Sequence, residues 1–275
     1  MALKLMYITN NADVASIAQS VGVDRIFVDL EYIGKEKRQL GHNSVLSHHT
    51  IEDIRAVKQV MNKSELLVRV NPIQFQSEKF TRKEIDEAIE AGADILMLPF
   101  FHETKEVKQF LDIVDHRVKT IPLVETPDAV KNIDEIIALD GIDEFFVGLN
   151  DLSIGYHLKF LFELLCNGTM EELSNKFKAA GIPFGFGGIA SLGNGLLPSE
   201  YVIREHYRLG SSSSILSRSF CNIDKMNNMD EVRTLFEEGV KAIREYEKKC
   251  EDPHFLEGNE EIVKQIVRDI VDKME

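Results

Sequence analysis

The sequence predicts an α/β fold, a (β/α)8 TIM-type barrel with one additional C-terminal helix. Three observations carry that reading. Eight short apolar runs recur along the 275 residues. They are rich in Val, Ile, Leu and Phe and mostly do not alternate, as parallel strands buried on both faces read. The stretches between them carry apolar residues at helical spacing. Eight such units fill about 250 residues, whereas a doubly wound sheet takes fewer strands and would show G-x-G-x-x-G after its first strand, which is missing here.

In chain order the runs fall at residues 3–8, 26–30, 66–70, 95–98, 121–124, 145–148, 183–188 and 214–216. Between them, Ile51, Ile54, Val57 and Met61 share a helical face. So do Ile85, Ala88 and Ile89, then Val107, Phe110, Leu111 and Val114. Thr126-Pro127-Asp128 marks a helix start: an N-cap, a proline at the first helical position and an acid near the positive helix end. Gly92 and Gly181 suit helix stops. The four serines at 211–214 are too short for a linker, and no low-complexity segment interrupts the chain. Residues 1–250 are therefore read as the barrel and residues 251–275 as a helical tail. In the tail Ile262, Val263, Ile266, Val267, Ile270 and Val271 form a narrow apolar stripe that must be buried, on its own barrel or on a neighbouring subunit.

The totals exclude several classes. With 32 Lys and Arg against 46 Asp and Glu the net charge is −14, which repels phosphate backbones and argues against nucleic acid. Hydrophobic residues make up 44%, enough for a full core. Cys166, Cys221 and Cys250 are scattered and odd in number, as reduced thiols in a cytoplasmic protein are. No run reaches the roughly 18 apolar residues that cross a bilayer, and MALKLMYITN carries no signal-peptide hydrophobic region. The reading is a cytoplasmic protein with no membrane partner.

Barrel active sites sit at the carboxyl ends of the strands. The second run ends with Asp29 and Glu31, which point the same way because strand side chains repeat every two residues. The third ends with Arg69 and Asn71, the fifth with Glu125, the sixth with Asn150 and Asp151. Four carboxylates at one mouth with one obvious arginine demand a proton or a cation. Magnesium or manganese suits carboxylate oxygens and needs few protein ligands when substrate supplies others. Glu125 and Asp151, on adjacent strands about 4.8 Å apart, are the natural metal pair. The plainer alternatives are that Asp151 caps the next helix, that Glu125 pairs with Arg69, and that Asp29 and Glu31 are ion-pair partners of Arg69 or of the basic loop. No lysine ends a strand, which argues against a Schiff-base aldolase and for metal-based carbanion chemistry.

The stretches "FVDLE", "LVRVN", "AGADILMLPF", "PLVET" and "FVGLNDLS", in this order over roughly residues 20 to 220, resemble the HpcH/HpaI aldolases and the related citrate lyase beta subunits. The resemblance implies a (β/α)8 barrel that makes or breaks carbon–carbon bonds beside a 2-oxo acid or acyl thioester. It implies that Glu125 and Asp151 hold the divalent metal, that Arg69 binds the carboxylate or enolate oxygen, and that Asp29 is a pocket residue. It also implies a homo-oligomer, trimer or hexamer, because the aldolase branch commonly exchanges its last helix between subunits. Two departures matter. The aldolase branch has a histidine implicated in proton transfer where this chain has Tyr32, and the citrate lyase branch has an aspartate there. "DLE" followed by Lys35, Lys37 and Arg38 is closer to the citrate lyase side, while "VGLNDLS" is closer to the aldolase side.

The expectation is thus a class II, divalent-metal-dependent lyase acting beside pyruvate or a similar 2-oxo acid. Arg69, Asp29 and Tyr32 are its catalytic candidates; Arg69, Glu31, Asn150, Gly187 and Gly188 are its substrate-binding ones. The two glycines belong to "GFGGIASLGNG", read either as backbone donors for an anion or as tight turns at the rim. Two rivals remain open: an acyl-thioester lyase, and a barrel that binds but has lost the proton-transfer group. Since a free tyrosine is a poor base at neutral pH, the base is expected from water acidified by the ion or from His42, His48 or His49 in the long loop after the second run. The loop cations are expected at the far end of an anionic substrate.

Overall fold

Eight parallel strands close into a barrel in sequence order: β1 (Lys4–Ile8), β2 (Arg25–Asp29), β3 (Glu65–Arg69), β4 (Ile95–Leu98), β5 (Lys119–Val124), β6 (Phe145–Val147), β7 (Phe184–Ile189) and β8 (Ser213–Leu216), with β8 pairing back onto β1. The structure is a computed structural model and describes residues 2–35, 48–74, 77–223, 226 and 228–274. All eight apolar runs are strands. Helices α1 (Ala12–Ser20), α2 (Ile51–Val60), α3 (Glu78–Glu90), α4 (Thr104–Val114), α5 (Pro127–Lys131), α6 (Ile133–Ile137), α7 (Leu149–Gly155), α8 (Thr169–Ala180) and α9 (Ser199–Leu209) lie between the strands. A long α10 (Met229–Cys250), a short α11 (Pro253–Leu256) and α12 (Asn259–Asp272) follow β8. No helix among the described residues is long and apolar enough to cross a membrane.

Alternation along each strand divides the side chains into two sets. Outward residues such as Ile26, Val28, Leu66, Val68, Leu96 and Leu98 join the helices in the large core. Inward residues form a smaller one: Met6, Phe27, Leu67, Ile95, Met97, Ile121, Leu123 and Phe146. The register stacks these inward residues in layers, with Arg25 opposite Glu65, Phe27 opposite Leu67, and Asp29 opposite Arg69. The apolar middle layer seals the barrel, so the charged layers at its two ends have separate roles.

The lower layer explains a difference from the sequence reading. Strands β2, β3 and β5 begin at Arg25, Glu65 and Lys119, ahead of the apolar runs at 26, 66 and 121. Arg25 is buried and grips Glu144 through two bonds of 3.1 and 2.7 Å; Glu65 lies 3.3 Å from Arg25 and also pairs with Lys119. Charged residues can start buried strands here because each finds its counter-ion across the barrel floor.

The tail packs on its own barrel. Val263 and Val267 are buried, and the Asn259 side chain donates to the Tyr201 carbonyl (3.1 Å) and to Glu205 (2.8 Å) on α9. Ile266 and Ile270 are partly buried against the same core, while Ile262 stays exposed.

Candidate active site

At the carboxyl ends of the strands lies a cavity of about 430 Å³. Its charged wall comes from Arg69 at the end of β3, Glu125 just past β5, and Asp151 in the first turn of α7. Asp151 and Asn150 are thus helical residues rather than strand-end residues: β6 stops at Val147 and Gly148 is the helix N-cap. The position suits Asp151 both as a companion of the positive helix end and as a group facing the cavity. Asn150 is exposed and donates to Asp151 Oδ1 at 3.0 Å.

Arg69 is held by a bidentate pair with Asp29, Nε to Oδ1 at 2.8 Å and Nη2 to Oδ2 at 2.7 Å, with Glu31 3.4 Å away. Its guanidinium carbon also stands 5.4 Å from the centre of the Phe27 ring. Asp29 and Glu31 are buried behind Arg69 and do not line the cavity among the described residues. The expected excess of carboxylate is smaller than the sequence suggested. Lys35 does not reach toward substrate; its buried ammonium turns back to Asp29 (2.6 Å) and Glu31 (3.5 Å). Two acids therefore face two cations. Burial alone would raise the Asp29 carboxyl, but Arg69 and then Lys35 outweigh it and hold it well below the usual carboxylate range. Burial would likewise lower Arg69, but Asp29, Glu31 and Glu125 reverse that and keep it firmly charged.

Glu125 is buried, and its Oε1 accepts the Phe100 backbone N–H at 2.9 Å. Phe100 has φ of +47°, the left-handed region that a side chain rarely adopts. That strain at the end of β4 aims a donor at the carboxylate. Across the β5–β6 seam, Gly148 leaves Glu125 its space: a Cβ there would lie 2.8 Å from Oε2. Oxygen donors from two carboxylates, one just past β5 and one in the first turn of α7, suit a hard divalent cation that takes its other ligands from water and substrate. No group of three or more Asp, Glu, His or Cys that could hold a metal occurs among the described residues. Two carboxylates would make an open site whose other ligands come from water and substrate.

Gly187 and Gly188 line the cavity from within β7, where the register with β8 shifts between Gly185 and Gly188. Gly187 has φ of +50° and sits where a Cβ would press on Leu149 at 2.9 Å, so it shapes the cavity wall. Tyr32 is placed elsewhere. Its side chain is 57% exposed and borders a separate groove with His49, Phe80 and Glu84. His49 accepts the Asp29 backbone N–H through Nδ1 at 3.0 Å, which assigns the ring proton to Nε2; burial lowers its proton affinity against the pull of Asp29. His48 is exposed, and His42, Lys37 and Arg38 lie outside the described residues. The structure thus gathers Arg69, Glu125, Asn150, Asp151, Gly187 and Gly188 at one cavity, sets Asp29 and Glu31 behind them, and separates Tyr32.

Lys35 meets Asp29 and Glu31, the ion-pair alternative that the sequence leaves open, in place of a contact with substrate. One feature escapes the sequence reading. The apolar part of the cavity, from Phe160, Phe162, Leu196 and Leu197, comes from a short 3-10 helix (Leu161–Leu165) with its cap and from a loop, with no strand pattern to mark them.

The family model described as HpcH/HpaI aldolase/citrate lyase matches residues 4–161. Among solved structures, the chain resembles a HpcH/HpaI aldolase/citrate lyase family protein from Burkholderia cenocepacia J2315, with a TM-score of 0.61, 18% identity, and coverage of 84% of this chain and 95% of that one. It also resembles the HpcH/HpaI aldolase from Desulfitobacterium hafniense DCB-2, with a TM-score of 0.60, 17% identity, and coverage of 89% and 93%. No curated protein matches the chain. The structural likenesses agree with the closed barrel, and the family match covers more than half of the 275 residues: the chain belongs to the HpcH/HpaI aldolase/citrate lyase family, which makes it a lyase.

Proposed function

We propose that the protein is a divalent-metal-dependent carbon–carbon lyase that cleaves or forms a bond beside a 2-oxo acid such as pyruvate. The observation that supports this best is the charged wall of one cavity: a fixed arginine, Arg69, facing two carboxylates, Glu125 and Asp151. Arg69 binds the substrate carboxylate or the oxygen on which charge develops, and its cost of orientation is met beforehand by Asp29. Asp29 is a positioning residue; a carboxyl held so firmly ionised is a weak base. Lys35 and Glu31 complete the cluster that fixes Arg69, and the Phe100 N–H orients Glu125. Glu125 and Asp151 would hold Mg2+ or Mn2+, which when bound supplies Lewis-acid polarisation of the keto group. Gly187, Gly188 and Asn150 border the substrate.

The test is deuterium exchange into the methyl group of pyruvate with Mn2+ present, before and after chelation and in Asp151→Ala. Exchange in the parent should fall on the order of 10²–10³-fold in both cases. Full exchange after both treatments would remove the metal from the reading. A second reading, a barrel that binds without turnover, is favoured by one observation: no histidine lines the cavity among the described residues. Absence of exchange with every 2-oxo acid tried, in a folded protein, would select it.

A further inference from the structure

The cavity at the barrel mouth is two-faced. Its charges stand on the β3, β5 and β6 side, as Arg69, Glu125 and Asp151. The β6-to-β8 side is built by Phe160, Phe162, Leu196, Leu197 and Val202, and these line the same cavity. Phe160 and Phe162 meet edge to face at 5.3 Å and are rooted in the core, as are Leu197 and Val202. Leu196 is different: 68% exposed, at the rim, it is among the large apolar side chains the chain leaves in the open. Gly195 before it has φ of +98°, and a Cβ there would lie 2.8 Å from the Leu197 carbonyl, so the backbone is bent in a way that only glycine adopts easily to set Leu196 there.

We infer that this wall takes the non-reacting arm of the substrate and that the arm is apolar: the bond-forming partner of the 2-oxo acid is an aldehyde with an uncharged alkyl or aryl chain. The inference rests on the lyase reading for the word aldehyde, but its geometry does not. In that reaction the methyl carbon of the oxo acid bonds to the aldehyde carbon, the methyl proton leaves and the new alkoxide gains one, so all atoms are retained in a 4-hydroxy-2-oxo acid. The head group of such an acid needs only the charged wall. A cavity of about 430 Å³ is the size of a site for a larger ligand, and the rest of its lining is mostly carbon, with Ser199, Ser217 and Ser219 as uncharged polar members. Of the loop cations that the sequence offered for an anionic far end, Lys35 is instead buried against Asp29 and Glu31, and Lys37 and Arg38 lie outside the described residues. Among the described residues no charged side chain lines the apolar side. Among the described residues a terminal carboxylate there would lose its water without gaining a cationic partner.

The experiment is titration calorimetry, with and without Mn2+, of three acids with the same head: pyruvate, 2-oxooctanoate and 2-oxooctanedioate. Each methylene placed against carbon strengthens binding about fourfold. 2-Oxooctanoate should therefore bind at least tenfold more tightly than pyruvate and than the dioate. Leu196→Arg, at an exposed position that leaves the core intact, should reverse the order of the two long acids. Leu196→Ala should narrow their gap. Equal binding of pyruvate and 2-oxooctanoate, or a preference of the parent for the dioate, would overturn the inference. So would sedimentation showing that Leu196→Arg splits an oligomer while the order of the acids is unchanged, since the patch would then be a subunit contact. Failure of the lyase reading is seen separately. A folded protein that binds 2-oxooctanoate tightly but exchanges no methyl proton of pyruvate keeps the apolar arm and loses the chemistry.

Discussion

Asp29 shows how one residue type at one register position serves the site without touching its cavity. Its inward position follows from the alternation of β2, and the register sets it opposite Arg69. Because two cations hold its folded carboxyl below the ordinary value of 3.8, the unfolded chain takes up the proton first as pH falls. Its contribution is complete above about pH 5 and fades as pH falls through the folded value. Asp29→Asn removes the carboxylate that bonds to both Lys35 and Arg69 and leaves Glu31 as the acid they share. It should cost about 3–5 kcal/mol at pH 7 and flatten the loss of stability between about pH 4 and 2. Urea unfolding of parent and variant at pH 7, 4 and 3 reads both; equal stability at pH 7 would show that the pair contributes nothing. The sequence displayed Asp29, Glu31 and Arg69 as strand-end residues. It left open whether Arg69 or the basic loop would pair with the two acids, because a side chain six positions along the chain from Asp29 finds it only after the loop turns; the structure shows both, through Arg69 and Lys35.

Two glycines set the geometry at the level of elements. Gly148 joins β6 to α7 as the helix N-cap, and its missing side chain is the space beside Glu125. Gly148→Ala should push the Glu125 carboxylate aside and weaken Mn2+ binding about tenfold or more, measured by electron paramagnetic resonance titration. Unchanged affinity would mean that Glu125 does not need that space. Gly185 closes the seam between β7 and β8: a Cβ would lie 2.1 Å from Ser213 Oγ, 2.6 Å from the Ser213 carbonyl and 2.7 Å from Phe146. Backbone cannot yield as a flexible side chain does, so Gly185→Ala should destabilise by about 3 kcal/mol or more, at the upper end of overpacking costs. A thermal melt within a degree or two of the parent would contradict this. The strands themselves were legible as apolar runs. Their first residues were not, because they are charged: Arg25 is admitted to its buried position by Glu144 and Glu65, while Lys119 starts its strand from an exposed position and pairs with Glu65.

At the scale of the molecule, the tail closes over the barrel that precedes it. Val263 and Val267 are buried there, and burial of two valines contributes on the order of 3–6 kcal/mol before entropy is subtracted. Truncation after Cys250 should lower the urea midpoint and expose the α9 surface that Asn259 now contacts. An unchanged midpoint would show that the tail is dispensable to the barrel. Sedimentation of the same variant tests the proposed oligomer, for which Ile262 remains exposed. Sequence by itself determined the eight-fold alternation, the closed barrel and the strand ends that hold Arg69 and Glu125, because burial on both faces and helical periodicity are local in the chain. Only the tertiary structure decided which charges meet. It drew Lys35 inward, set Tyr32 apart from the cavity, placed Asp151 in a helix turn and joined an apolar wall to the charged one. These depend on distances between residues far apart in the chain, and electrostatic pairing and cavity shape are properties of those distances and not of any single segment.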